Sequence, residues 1–191
     1  MSALRDITQG LYAAVRLAQF RKDGIQMFDI SVGGFWRSFL AIPICTALQM
    51  VTLALPASGL GDQRTLATFA LNAGATIVTL LVVLAGMLFM VKLIKRQARF
   101  SVFVILYNWC SVVMFTASLA MVALETFTPG GPLQGAPNLL AFIYVQVLTW
   151  FIVRESLLVD VVIAFLLMVF ITAVQLLVNY GIGEVVHYLT A

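Results

Sequence analysis

Charge is scarce in this 191-residue sequence. Asp, Glu, Lys and Arg together supply 10% of it, against ~25% in ordinary soluble domains. Hydrophobic residues supply 62%, and a soluble fold of this length cannot hide that much apolar surface in uninterrupted runs. Histidine and cysteine are scarcer still, with one of the former and two of the latter. That excludes a zinc site built on Cys/His spacing and a disulfide framework. His187 has no ligand-type neighbour close in sequence, and Cys45 and Cys110 fall inside apolar runs, where they read as small buried apolar residues. There is no Gly-x-Ser-x-Gly, no His-Glu-x-x-His, no Walker loop and no dinucleotide fingerprint. Gly33-Gly34 and Gly130-Gly131 lack the flanking elements of a phosphate cradle. The sequence therefore predicts no catalytic residue, no cofactor and no metal.

What the chain does contain is long apolar runs. Leu66 to Val91 carries no charge, nor does Ser101 to Leu124. At 1.5 Å per residue each exceeds the ~30 Å hydrocarbon core of a bilayer. Between them lies Lys92-Leu-Ile-Lys-Arg-Gln-Ala-Arg99. Clustered Lys and Arg beside spanning segments stay in the cytoplasm, so this block fixes the expected orientation. It gives the cytoplasmic side Arg5, Arg16, Arg21, Lys22, Arg37, Lys92, Lys95, Arg96, Arg99 and Arg154, and the opposite side only Arg64. The net charge of +3 thus reports orientation and contact with anionic lipid, through Lys92, Lys95, Arg96 and Arg99 above all, and not nucleic-acid binding.

The expected architecture is all-α: one membrane domain over 1–191, with a transmembrane bundle of about five spans over 38–180. The N-terminal 1–22 lack the apolar core and cleavage site of a signal peptide. Leu4, Ile7, Leu11, Ala14, Val15 and Ala18 instead recur at helical spacing, which predicts an amphipathic helix either lying on the cytoplasmic interface or packed on the protein's own membrane domain. Asp29 to Arg37 leads to a first span from Ser38 to about Leu55. Gly33-Gly34 is expected to bend there, and Trp36 and Arg37 to mark the headgroup boundary. In the second span Ala70 and Gly74 form a small-xxx-small pair suited to helix contact.

The third span opens with Tyr107-Asn108-Trp109. Glu125 to Pro137, with three prolines and three glycines, reads as a break. A straight helix from Asn138 to Tyr180 would be roughly 65 Å long, twice the bilayer, so a turn is expected at about Val153 to Ser156. Gly181-Ile182-Gly183 is expected to end the last helix.

Two sets of polar residues bear on function. Arg154, Glu155 and Asp160 cluster near the last turn, where they either anchor a hairpin at headgroup level or begin an ion relay. Asn72, Asn108, Gln146, Gln175 and Asn179 sit inside apolar runs and require hydrogen-bond partners. They serve either helix packing or a substrate path.

Five spans, a cytoplasmic N-terminus and a far-side C-terminus resemble the Yip1 domain family of small integral membrane proteins. That family's pre-membrane motif reads Asp-Leu-Tyr-Gly-Pro-Leu-Trp. Here Asp29, Gly33, Gly34 and Trp36 keep the order Asp, Gly, Trp, with one extra residue and with Gly34 where Pro is expected. Tyr107-Asn108-Trp109 is similar to bacterial members. Eukaryotic members are linked to Rab GTPases, vesicle traffic and membrane shape, but this chain lacks the long cytoplasmic N-terminal region and does not inherit Rab binding. The resemblance implies a non-enzymatic, multi-pass inner-membrane protein that organises membrane or assists other membrane proteins. Its expected partners are anionic lipid and either another membrane protein or a second copy. The alternatives are a small transporter or channel component using the intramembrane polar residues, and an accessory subunit of a larger inner-membrane complex.

Overall fold

The computed structural model describes residues 3–56, 65–128 and 135–190, with side-chain detail for 5–56, 65–128 and 135–181. The described residues form seven α-helices and no strand: α1 Ala3–Ala18, α2 Val32–Ser38, α3 Ala41–Ala54, α4 Leu66–Leu93, α5 Phe100–Phe127, α6 Ala136–Leu157 and α7 Val161–Thr190. Short 3-10 turns cover Lys22–Met27 and Gln97–Arg99.

Five stretches are long and apolar enough to cross a bilayer: Val32–Ala54, Leu66–Leu93, Gln97–Phe127, Ala136–Leu157 and Val161–Gly181. Their outward faces carry exposed Val78, Leu81, Phe89, Leu139, Phe165 and Leu177. Contiguous apolar surface of this kind suits hydrocarbon and not water. The protein is a multi-pass membrane protein.

The helix neighbours close a ring. α3 packs on α4 and α5, α5 on α6, α6 on α7, and α7 back on α4. α4 and α5 are consecutive in sequence yet make little direct contact, because they stand across the ring from each other. α5 is the hub, also taking α1 and α2 on its outer side. Surrounded in this way, its residues Phe103 to Val112 are all buried. The segment is accordingly apolar around most of its circumference, as an enclosed helix should be, and its buried Asn108 and Ser111 side chains are each hydrogen-bonded.

The expected amphipathic helix is present over Ala3–Ala18. Of its predicted stripe, Ala14 and Ala18 are buried and Ile7 and Leu11 half-buried against the core, while the centre of the buried face is shifted away from Val15. Gly10, Ala13, Ala14, Leu17 and Ala18 are buried, whereas Val15 is 47% exposed. This face lies on the protein's own membrane domain. The small residues matter here: a β-carbon on Gly10 would come within 2.5 Å of the Trp109 indole. Ala18 is tied to α6, its carbonyl accepting from the Tyr144 hydroxyl at 3.1 Å.

Other boundaries also move. The first span is broken, α2 ending at Ser38 and α3 starting at Ala41. α5 runs through Glu125 to Phe127, and the Glu125 carboxylate accepts from the Gly135 N–H at 3.1 Å and from the Asn138 side chain. Of the expected break, 129–134 lie outside the described residues. The α6–α7 turn falls at Leu158–Asp160, later than Val153–Ser156. Leu158 takes φ 51° there, and its N–H closes the helix on the Arg154 carbonyl. α7 does not stop at Gly181 but continues to Thr190. A Gly within a helix costs only ~1 kcal/mol relative to Ala, too little by itself to end a long helix.

Candidate functional site

The pre-membrane residues make a compact knot. Ser31 caps α2, its hydroxyl accepting from the Gly34 N–H at 3.1 Å, while its own N–H donates to Asp29 Oδ1 at 2.9 Å. Arg37 turns back from α2 to pair with Asp29 and stands 3.5 Å from Asp6 of α1. One guanidinium thus joins the N-terminal helix, the linker and α2. The hydrogen bonds from Ser31, and then Arg37, hold the Asp29 carboxyl below the usual aspartate range. A second pair, Arg16 with Asp23, likewise lowers Asp23, chiefly through the guanidinium hydrogen bond.

Gly33 and Gly34 do not form the expected bend. Both lie within α2, and neither has positive φ. Gly34 is required for proximity instead, since a β-carbon there would sit 1.8 Å from the Asp29 carbonyl oxygen. Trp36 is 67% exposed, with its indole beside Phe35 and Phe39.

Arg154, Glu155 and Asp160 share the last turn but divide into three separate roles. The Arg154 guanidinium lies over the Trp150 ring, 5.6 Å from its centroid. Glu155, only 11% exposed, pairs at 2.9 Å with Lys22 of the N-terminal segment. Asp160 Oδ1 accepts from the N–H groups of Val162 and Ile163 at 2.8 and 3.0 Å, so it caps α7. Among the described residues no ion pair joins Asp160 to Arg154.

The connector cations Lys92, Lys95, Arg96 and Arg99 are all exposed. None makes an ion pair among the described residues, whereas Arg16, Lys22 and Arg37 all do. Lys95 stands at φ 57° in the turn that ends α4.

The intramembrane polar residues also separate. Asn72 satisfies itself within α4, donating to the Thr68 carbonyl at 2.8 Å. Asn108, 2% exposed, donates to the Ser38 hydroxyl at 3.0 Å and so ties α5 to α2. Gly74 faces open space, with nothing within 4 Å of an added β-carbon, so Ala70 and Gly74 seat no neighbouring helix. The close approach occurs instead at Gly86, where a β-carbon would lie 3.0 Å from the Phe170 ring of α7.

Gln146, Gln175 and Asn179 do converge, and on more than the sequence reading named. They line a recess inside the helix ring, with Gln49 of α3, Thr76 and Thr79 of α4, and Tyr107, Ser111 and Ser118 of α5. Gln146 pairs with Thr172 at 2.8 Å, and the Gln175 amide meets the Tyr107 hydroxyl at 3.2 Å. Two adjoining chambers of about 150 and 280 Å³ share Thr76, Thr79, Phe115, Val145 and Gln175 in their linings. Neither has a charged residue among its described lining.

The missed lining residues were recognisable as stripes. Thr172, Gln175 and Asn179, like Tyr107, Ser111, Phe115 and Ser118, recur at spacings of three and four, which puts each set on one helix face. Free Cys45 and Cys110 are buried in the core. Among the described residues no group of His, Cys, Asp and Glu could hold a metal, and the His187 side chain lies outside them.

Comparison with protein-family models, curated proteins and solved structures returns no match for this chain.

Proposed function

We propose that this chain is a non-enzymatic membrane organiser of the Yip1 type. In this reading it resides in an inner membrane with its N-terminus in the cytoplasm, engages anionic lipid through its basic connector, and works beside other membrane proteins. The observation that carries the reading is the contrast among its cations. Arg16, Lys22 and Arg37 are engaged by Asp6, Asp23, Asp29 and Glu155, whereas Lys92, Lys95, Arg96 and Arg99 stand exposed as a cluster without carboxylate partners among the described residues, a state that only the isolated Arg5 and Arg21 of the N-terminal segment share there. A cationic turn between two spanning helices lies at the headgroup level, where each Lys or Arg near an anionic surface contributes ~1 kcal/mol. Arg154 on the Trp150 face adds a further cation at the neighbouring turn, again without a carboxylate partner among the described residues.

The test is gentle-detergent purification of the full chain, followed by mass spectrometry of co-purifying lipid and protein. Wild type should carry anionic phospholipid together with a stoichiometric membrane-protein partner or a second copy. Replacing Lys92, Lys95, Arg96 and Arg99 by Gln should strip the lipid. A wild type with no anionic enrichment and no protein companion would sink the reading.

A further inference from the structure

Beyond the lipid-facing role, the geometry points to a binding site for a small uncharged, hydroxyl-rich solute inside the helix ring, entered from the end opposite the basic connectors. The apolar core fills the ring on the connector side. Val83, Met87, Phe103, Leu148 and Ile152 are fully buried there and close that end. The recess lies beyond this plug. Tyr107 and Leu80, 1% and 4% exposed, form its floor, and Phe142 and Asn179 are exposed at its rim. α6 starts, and α7 runs on, at the end away from the connectors. Phe142 is near the first turns of α6 and Asn179 is the lining residue furthest along α7, so the rim faces that end.

Chemistry selects the occupant. Each chamber far exceeds the ~10–15 Å³ needed for one water, so the recess admits solvent and small solutes. Its polar groups are carboxamides and hydroxyls, each able both to donate and to accept. With no charged residue among its described lining, an ion would enter hydrocarbon depth without a counter-charge, which is costly. A neutral polyol meets no such penalty, and its C–H faces suit Phe115 and Tyr107.

The independent sign that a ligand or water belongs there is Thr79. Thr79 is 9% exposed, it lines both chambers, and its buried Oγ1 has no hydrogen-bond partner among the described residues. Most mid-helix Thr hydroxyls in this protein bond the carbonyl four residues back, as Thr76 and Thr116 do. A buried hydroxyl left unpaired is costly, and a group held in the recess would relieve it.

The experiment uses the full chain in nanodiscs, with Thr79→Cys and, as a second near-isosteric probe, Ser118→Cys. Native Cys45 and Cys110, both fully buried, provide the unreactive background. The probes are iodoacetamide, which is small and neutral, and an anionic methanethiosulfonate, each compared with its own rate at an exposed Gln97→Cys control. Relative to that control, both recess cysteines should react with iodoacetamide at least tenfold faster than with the anion. Glycerol at molar concentration should slow the neutral reaction severalfold at the recess, and Gln175→Leu should abolish that protection. Recess cysteines as inert as Cys45 and Cys110 would show a dry cavity and overturn the proposal. Equal relative rates for neutral and anionic reagents would also overturn it, as would a glycerol effect no larger than at Gln97→Cys.

Discussion

At the residue scale, two glycines that look alike in the sequence do different work. Gly34 allows α2 to lie against the Asp29 carbonyl, so Gly34→Ala must displace backbone. A cost at or above the ~1–3 kcal/mol of ordinary overpacking is expected. Gly74 faces open space, and Gly74→Ala should be neutral or stabilising by ~0.5–1 kcal/mol, because it removes a flexible residue from a helix interior. Thermal unfolding in one detergent decides both; equal losses would mean that α2 does not lie close against the Asp29 carbonyl. Glycine spacing alone could not separate them, since the decisive atom belongs to another element. The polar residues follow the same rule. Nothing near Glu155 in sequence names Lys22, and nothing near Arg37 names Asp6, because each pair joins segments that meet only after folding. Asp160 was more legible, as an Asp directly ahead of an apolar run is a recognisable cap. With its carboxylate on the first N–H groups of α7, Asp160→Asn should be nearly silent and Asp160→Ala should cost ~1 kcal/mol. Equal and large losses from both would show that the charge itself is required at this turn, beyond capping.

At the element scale, the apolar runs announced α4 to α7 because bilayer thickness demands their length. The ring they form was not legible, since composition says nothing about which helix neighbours which. α1 shows the boundary between the two kinds of information. Its periodicity gave a helix with one apolar stripe, but the stripe's centre depends on Trp109 and Tyr144, which receive it. Leu17 is fully buried and Val15 is not, so Leu17→Ala should cost ~2–5 kcal/mol and speed tryptic cleavage at Arg16 and Arg21. Val15→Asp should leave cleavage unchanged, and the reverse ranking would mean that α1 rests on a different face. The same digestion tests the ion pairs. Asp23 and Asp29 are held below the usual carboxylate range, so their contribution is present above the unfolded aspartate pKa of ~3.9. It is lost only as pH falls through their lowered values. Docking should therefore hold constant from pH 8 to pH 5, and a segment that loosens near pH 6 would point to some other titrating group.

At the scale of the whole molecule, the basic connector and the polar recess lie toward opposite ends of one ring, so the direction of insertion decides which compartment each one meets. Ten of the eleven Lys and Arg residues fall on the side assigned to the cytoplasm, a bias that sets orientation when it occurs in short loops. With five spans, an odd number, the two termini emerge on opposite sides. α1 cannot add a sixth, because at 16 residues it is shorter than the ~20 a crossing requires. Reporter fusions at Asp62 and Gln134 should read as exported, a fusion at Gln97 as cytoplasmic, and a fusion after Ala191 as exported. A cytoplasmic C-terminal reporter would remove one crossing. The inverse pattern at all four sites would keep the five spans and reverse the molecule, placing Lys92, Lys95, Arg96 and Arg99 against the wrong leaflet for anionic lipid. The same inversion would turn the rim at Phe142 and Asn179 toward the cytoplasm, so the reporter pattern also fixes the compartment from which a neutral solute reaches Thr79.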